Sequence, residues 1–240
     1  MISLSQAVAN LIAVPRPLLF LDTCTLLDIV RAPLRDLTAA VGAGVELRAL
    51  AATGTVRLFV QDIVPGEWAD NLPAARRDGE AGVRAFTATW QIAADLGQPA
   101  PPLPVLPPGT LIDELEQLSH DLLMAADTLD RDHAGMSWAI DRVAAKQKPS
   151  SAKGTVKDGH ILGHALRLSA LLAAANYPNS RLLVSSNKSD FAAQSATVFH
   201  PDIAPDATAA ERRDLPADLQ ADLVEQVFGV GRPAPPAATL

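Results

Sequence analysis

The sequence of 240 residues is poor in cysteine, in aromatic side chains and in long apolar runs. Cys24 is its only cysteine, which excludes an internal disulfide and a cysteine-based zinc site. No apolar stretch approaches the roughly 20 residues that a membrane-spanning helix needs. The opening segment, MISLSQAVANLIAVP, lacks the positive flank and the small-residue cleavage site of a signal peptide. We therefore expect a soluble, cytoplasmic protein without a membrane partner.

Positive charge is also scarce, since 20 lysines and arginines face 27 acidic residues, for a formal net charge of −7. This balance argues against a broad electropositive surface for nucleic acid. The lysines are unevenly placed, because all of them lie between Lys146 and Lys188, and four fall in the acid-free segment KQKPSSAKGTVK. That segment is either a solvated loop or a local binding site for a polyanion.

Short apolar runs alternate with stretches of helical periodicity. Leu18 to Leu21 reads as a buried strand that ends at Asp22, and VRLFV (56–60) and RLLV (181–184) predict two further strands. Thr197 to Phe199 is a candidate fourth strand. Strands separated by helices predict an α/β fold with an open parallel sheet and right-handed crossovers.

Residues 99–148 have a different pattern. The segment QPAPPLPVLPP (98–108) predicts a polyproline-like surface connection, and amphipathic helices are predicted over Leu111–Asp130 and Ser137–Ala145. No strand is predicted here, so the region is interpreted as a helical insertion in a single domain spanning residues 1–229. A C-terminal helix is predicted over Leu215–Phe228, and residues 230–240 are expected to form a disordered tail.

Acidic and amide side chains recur where the predicted strands end or the helices begin. Asp22 ends the first strand, Glu67 follows the second, Asp158 opens an apolar helix, and Asn187 and Asp190 follow the third strand. Each has a structural interpretation, as a helix cap, a dipole partner or a turn former. Together they would place several carboxylates at the sheet edge where α/β proteins bind ligands. Repelling carboxylates need a cation, and oxygen ligands favour Mg²⁺ or Mn²⁺, which can activate water at a phosphodiester.

Four segments in order resemble the PIN-domain nucleases: LFLDTCTLLDI, VPGEWADN, KDGHILGHALRL and LLVSSNKSDF. They are similar to that family's strand-end Asp-Thr/Ser, central Glu, helix-opening Asp, and Ser/Thr-x-Asn/Asp loop ending in Asp-Phe. The resemblance implies a PIN-like open parallel sheet sandwiched by helices. It also implies a metal-dependent ribonuclease, and many members of the family are toxins of bacterial toxin–antitoxin pairs.

The resemblance also implies roles for individual residues. It assigns the acidic metal ligands to Asp22, Glu67 and Asp158, with Asn187 or Asp190 completing the site. Small hydroxyl positions that orient ligands or the scissile phosphate fall on Thr23 and Ser185. The lysines expected to hold the RNA backbone are Lys153, Lys157 and Lys188.

Two departures from the family pattern leave other functions open. Asn187 is neutral where many members have Asp, and the chain is longer than the compact toxins. A catalytically silent PIN-like module that binds RNA or a protein is therefore the main alternative, and a metal-dependent phosphatase of similar sheet topology is a third. An antitoxin partner and a homodimer both remain compatible with the sequence.

Other candidate side chains have ordinary structural interpretations. His160 and His164 lie four residues apart on one helix face, the spacing of a metal pair, but no third ligand is evident. They are expected to be solvated or at the edge of the core. Asp28 is expected on a helix surface, and Cys24 is expected to be a small buried thiol rather than a nucleophile.

Overall fold

The computed structural model describes residues 1–35, 37–97, 108–150, 156–187, 191, 199 and 201–211. Within these ranges the chain forms four strands and eight helices. The strands are β1 (Leu18–Leu21), β2 (Arg57–Gln61), β3 (Asp127–Leu129) and β4 (Arg181–Val184). The helices are α1 (Leu4–Ala13), α2 (Thr23–Arg35), α3 (Thr38–Ala52), α4 (Val64–Asp95), α5 (Pro108–Ala125), α6 (His133–Ala144), α7 (Lys157–Ala174) and α8 (Ala204–Glu211).

The four strands form one open, fully parallel sheet with the order β3-β2-β1-β4. The central strand β1 has a neighbour on each side, so Leu19 lies opposite Leu58 of β2 and Leu182 of β4. The predicted α/β class and the three predicted strands are confirmed. Because the strands are parallel, their carboxyl ends lie along one edge, and β1 ends in the middle of it.

The sheet is layered between helices on both faces. Leu19 and Leu21 of β1 belong to one core cluster, which α2, α4 and α5 complete. Leu18 and Phe20, which alternate with them, belong to a second cluster with α1 and α7. Side chains of a strand point alternately to opposite faces, and burial on both faces explains why β1 is apolar at every position.

The prediction that no strand lies within residues 99–148 was wrong, because β3 is there and pairs with β2. Helix α5 ends at Ala125 rather than continuing to Asp130. Several of its apolar side chains lie in the same core cluster as β1: Ile112, Leu115, Leu118, Leu122 and Leu123. The region from residue 108 onward therefore supplies both an edge strand and part of the core. Residues 98–107, 197–198 and 212–240, on which other predictions fall, lie outside the described ranges.

Helix α2 continues through Pro33 to Arg35 and buries a residue that was expected at its surface. Asp28, expected on the surface, is 5% exposed and forms ion pairs with Arg35 at 2.7 Å and Arg31 at 3.7 Å. Both arginines belong to the same helix and compensate the charge of Asp28. The helix can therefore bury this aspartate.

Helices α2 and α4 pack with their backbones in direct contact. A Cβ atom at Gly79 of α4 would collide with the carbonyl oxygen of Val30, and one at Gly82 would collide with the backbone of Pro33 and Leu34. Only glycine permits this approach. These helices begin just after β1 and β2, so their packing positions the side chains at the carboxyl edge of the sheet.

None of the helices in the described ranges combines the length and the apolar character that crossing a membrane requires.

Candidate functional site

The carboxylate of Asp22 directly follows β1, at the middle of the sheet's carboxyl edge. Asp22 is 1% exposed, and the hydroxyl of Ser185 donates to its Oδ2 at 2.6 Å. Its backbone N–H donates to the carbonyl of Val184 at 3.0 Å, which holds the ends of β1 and β4 together. Burial raises the pKa of Asp22; hydrogen bonds from Ser185 and Cys24 oppose this effect, and the charge of Glu67 adds to it. Asp22 is thus a buried carboxylate at the predicted position.

Glu67 lies in the first turn of α4. Its carboxylate contacts the first residue of α2 and the first residue of α7. The hydroxyl of Thr23, which begins α2, donates to Oε2 at 2.9 Å. The ammonium of Lys157, which begins α7, lies 2.7 Å from Oε1. Both oxygens of the half-buried Glu67 therefore have partners, and this residue connects the N-terminal ends of α2, α4 and α7.

Asp158 follows Lys157 in the first turn of α7, the helix that leads into β4. Burial, followed by the charges of Asp22 and Asp158, raises the pKa of the Cys24 thiol. Cys24 therefore remains protonated at neutral pH, which agrees with an inert thiol rather than a nucleophile. The first residue of α7, Lys157, pairs with Glu67, so the first turn that carries Asp158 begins beside the start of α4.

The loop after β4 is connected to Asp22 through Ser185. The Ser185 hydroxyl donates to Asp22 and accepts the backbone N–H of Asn187 at 3.1 Å. Ser185 therefore orders the loop and orients the carboxylate at once. Three further residues assigned to the site lie outside the described residues: Lys153, Lys188 and Asp190.

The structure brings Asp22, Glu67 and Asp158 to the same edge of the sheet. Among the residues it describes, no three His, Cys, Asp or Glu side chains form a group that could hold a metal ion. The donor chemistry nevertheless fits Mg²⁺ or Mn²⁺, since these ions prefer carboxylate oxygens. A cation already binds one of these carboxylates, because Lys157 pairs with Glu67. The described residues thus form a donor set of suitable chemistry, without an assembled ligand shell.

Gln61, at the end of β2, lies beside two buried histidines of α7. Its Nε2 is 2.6 Å from Nδ1 and 2.8 Å from Nε2 of His160. His164 accepts the backbone N–H of Asp132 at Nε2, over 2.7 Å. Burial and the neighbouring His164 lower the pKa of His160 to about 4, so its ring is neutral at pH 7. Both histidines are core side chains, which corrects the expectation of solvated or core-edge positions.

Two features of this edge were missed from the sequence: the position of Gln61 beside His160, and the ion pair of Lys157 with Glu67. A signal for Gln61 was present, because a polar residue directly follows the apolar run LFV at the end of a buried strand. The ion pair gave no such signal, since its partners lie far apart in the chain and only the fold brings α4 and α7 together.

No protein-family model matches the sequence. No curated protein and no solved structure matches it significantly. What the site can do is therefore inferred from its own geometry and chemistry, and from the four segments that resemble the PIN-domain family.

Proposed function

We propose that this chain is a divalent-metal-dependent ribonuclease of the PIN type, which cleaves RNA phosphodiester bonds. One observation carries the proposal: Asp22, Glu67 and Asp158 come from three separate elements to the carboxyl edge of one parallel sheet. Acids that only cap helices would also lie at this edge, but Asp22 is 1% exposed, and capping does not require a carboxylate to be removed from water. Three acids at a ligand-binding edge are better explained by a shared cation.

The burial of Asp22 supports the same proposal. A carboxylate removed from water is costly unless it is paired or binds a metal. Within the described ranges its side-chain hydrogen-bond partners, Ser185 and Cys24, are neutral, and they leave its pKa raised. The residues that would hold Mg²⁺ or Mn²⁺ are Asp22, Glu67 and Asp158, with Asn187 in support.

The bound ion would supply an activated water and charge stabilisation at the phosphodiester. The chain's own hydroxyl groups prepare the acids for this role. Ser185 fixes the orientation of the Asp22 carboxylate, and Thr23 fixes that of Glu67. The Ser185 hydroxyl donates to the charged form of Asp22, and so favours the carboxylate state that a metal requires.

The test is RNA cleavage by Asp22→Asn and Asp158→Asn. Either change should reduce cleavage of a labelled single-stranded RNA, at saturating Mg²⁺ or Mn²⁺, by roughly a hundredfold or more, because metal assistance is worth several kcal/mol. The fold should persist, since asparagine is nearly isosteric and also caps helices. Circular dichroism and the melting temperature check the fold, and gel analysis measures the cleavage.

Asp121→Asn is the matched control for these variants. Asp121 is a partly exposed aspartate of α5 that pairs with Arg48, away from the sheet edge, so its amide variant should cleave at the wild-type rate. Full activity in both Asp22→Asn and Asp158→Asn would show that these acids are structural caps. Loss of cleavage in the presence of EDTA should accompany a genuine metal requirement.

A catalytically silent RNA- or protein-binding module is the second candidate. The pairing of Glu67 with Lys157 favours it, because that carboxylate is already neutralised by the protein itself. This alternative predicts that the wild-type chain binds RNA or a protein but cleaves no RNA with Mg²⁺ or Mn²⁺. It also predicts that Asp22→Asn binds as the wild type does.

A further inference from the structure

The ammonium of Lys157 lies among the acids of the proposed metal site. It is 2.7 Å from Oε1 of Glu67, while Thr23 donates to the other oxygen. The neighbour of Lys157 in the chain is Asp158, the acid in the first turn of α7. A positive charge that belongs to the chain therefore occupies the environment that a divalent ion would need.

We propose that Lys157 is a built-in counter-cation that competes with the divalent metal for Glu67. The inference rests on the proposed function and deepens it. An ammonium and a metal ion both bind through the carboxylate oxygens, so the Lys157–Glu67 ion pair opposes metal binding at Oε1. The ammonium of Lys157 and a metal ion bound to the same carboxylate would also repel each other, which adds to the competition.

The exposure of the two side chains makes this competition reversible. The Lys157 side chain is 61% exposed and that of Glu67 is 17% exposed. An ion pair near the surface is weak, and the lysine can swing into solvent without leaving a buried charge behind. Thr23 keeps its hydrogen bond to Oε2, so Glu67 remains oriented when Lys157 leaves.

Displacement would also change what Lys157 can bind. Once released from Glu67, the ammonium remains at the start of α7, next to the proposed metal ligands. It could then pair with a backbone phosphate of RNA. Binding of the metal by Glu67 and binding of phosphate by Lys157 would be coupled. Each of the two events weakens the Lys157–Glu67 ion pair, which opposes the other event.

Calorimetric titration with Mn²⁺ tests the competition without any RNA. Lys157→Met removes the charge and keeps much of the side-chain volume. It should lower the Mn²⁺ dissociation constant roughly threefold to tenfold, the range that loss of a near-surface ion pair and a neighbouring like charge allows. Lys157→Gln is a second variant, and should change affinity in the same direction.

Arg84→Met is the matched control, since it removes one positive charge from a side chain of 62% exposure that pairs with Glu80 on α4. Its Mn²⁺ affinity should equal that of the wild type. A double-mutant cycle with Glu67→Gln identifies the carboxylate involved: in that background, Lys157→Met should have little further effect. Melting temperatures with and without Mn²⁺ provide an independent readout, because a ligand that binds only the native state stabilises it.

Equal Mn²⁺ affinity in the wild type and in both Lys157 variants would overturn the inference and leave the proposed metal site intact. Weaker binding by the variants would also overturn it, because Lys157 would then support the site. An equal gain in the Glu67→Gln background would show that Glu67 is not the shared ligand, and would contradict the proposal. If no protein in the set binds Mn²⁺ or Mg²⁺, the proposed metal-dependent function fails, and the inference fails with it.

Discussion

Two buried aspartates lie close together in the chain but have opposite surroundings. Asp28 is 5% exposed and pairs with the cations Arg31 and Arg35. Asp22 is 1% exposed, and in the part of the chain that the structure describes its hydrogen-bond partners are neutral donors, among them Ser185. Burying the charged form of Asp22 therefore costs stability, whereas the charge of Asp28 is compensated.

Asp22→Asn should stabilise the metal-free protein at pH 7. We expect its melting temperature in EDTA to exceed that of the wild type by about 1–8 °C, the effect of roughly 0.5–2 kcal/mol in a chain of this size. The advantage should shrink as the pH falls. Because the folded-state pKa of Asp22 is raised above 3.8, the wild-type carboxyl is protonated on acidification earlier in the folded state than in the unfolded state. Melting curves at several pH values measure the difference.

Asp28→Asn provides the control of opposite sign. It removes the charge that Arg31 and Arg35 bind, and should lower the free energy of unfolding by about 1–3 kcal/mol at pH 7. A lower melting temperature for Asp22→Asn at pH 7, or an advantage that grows toward acid pH, would contradict the unfavourable burial of the Asp22 charge.

Secondary-structure elements were predictable from the sequence where their own residues specify them. β1, β2 and β4 are apolar runs, because both faces of the sheet are covered. β3 was not predictable, since Asp-Thr-Leu is short and two-thirds polar and becomes a strand only through its pairing with β2.

The positions of Asp22, Glu67 and Asp158 followed from these element boundaries. The partners of those acids did not, because contacts between α2, α4 and α7 depend on the packing of the whole domain.

Arg142 connects helix α6 to α8 and to the segment that follows α6. The guanidinium donates to the carbonyls of Lys148 at 2.8 Å and Asp202 at 2.6 Å, and it forms an ion pair with Asp206. It also lies 4.5 Å from the centroid of the Trp138 ring. Because Arg142 is only 7% exposed, these contacts replace its hydration and join α6 to α8.

Arg142→Met should destabilise the protein by about 2 kcal/mol, since it removes several charge-assisted hydrogen bonds and leaves the two carbonyls without this donor. The melting temperature should fall by roughly 4–8 °C. Arg142→Lys should be intermediate, because one ammonium cannot serve all the acceptors of a guanidinium. Arg48→Met, which removes an exposed ion pair with Asp121, is the control and should change stability little. Equal melting temperatures for Arg142→Met and Arg48→Met would contradict the proposed importance of this contact.

The whole molecule carries a formal charge of −7, which is unusual for a protein proposed to act on a polyanion. A local concentration of cations can attract RNA without charging the entire surface. The lysines are suited to this, because they are confined to one part of the sequence and Lys157 begins the helix that carries Asp158. RNA binding should therefore depend on a few lysines rather than on net charge.

Replacing Lys153, Lys157 and Lys188 together by glutamine should weaken RNA binding and reduce its salt dependence. Loss of three phosphate contacts would lower the slope of log affinity against log salt by about two, at roughly 0.7 per contact for a single strand. Fluorescence anisotropy in an Asp22→Asn background, which prevents cleavage, measures both quantities. The control replaces Arg48, Arg77 and Arg84, and so changes the net charge equally. Identical salt slopes in the two triple variants would move the RNA-binding surface elsewhere.

The contact between α2 and α4 makes the two helices a single mechanical unit. At Gly79 and Gly82 no side chain separates the two backbones. A displacement of one helix must therefore displace the other, because there is no side-chain packing between them that could readjust. Thr23 and Glu67 extend from the ends of this unit, so their hydrogen bond keeps its length only while the glycine contact is preserved. The tolerance of the candidate site to sequence change is thus partly set several helical turns away, at two positions that carry no side chain.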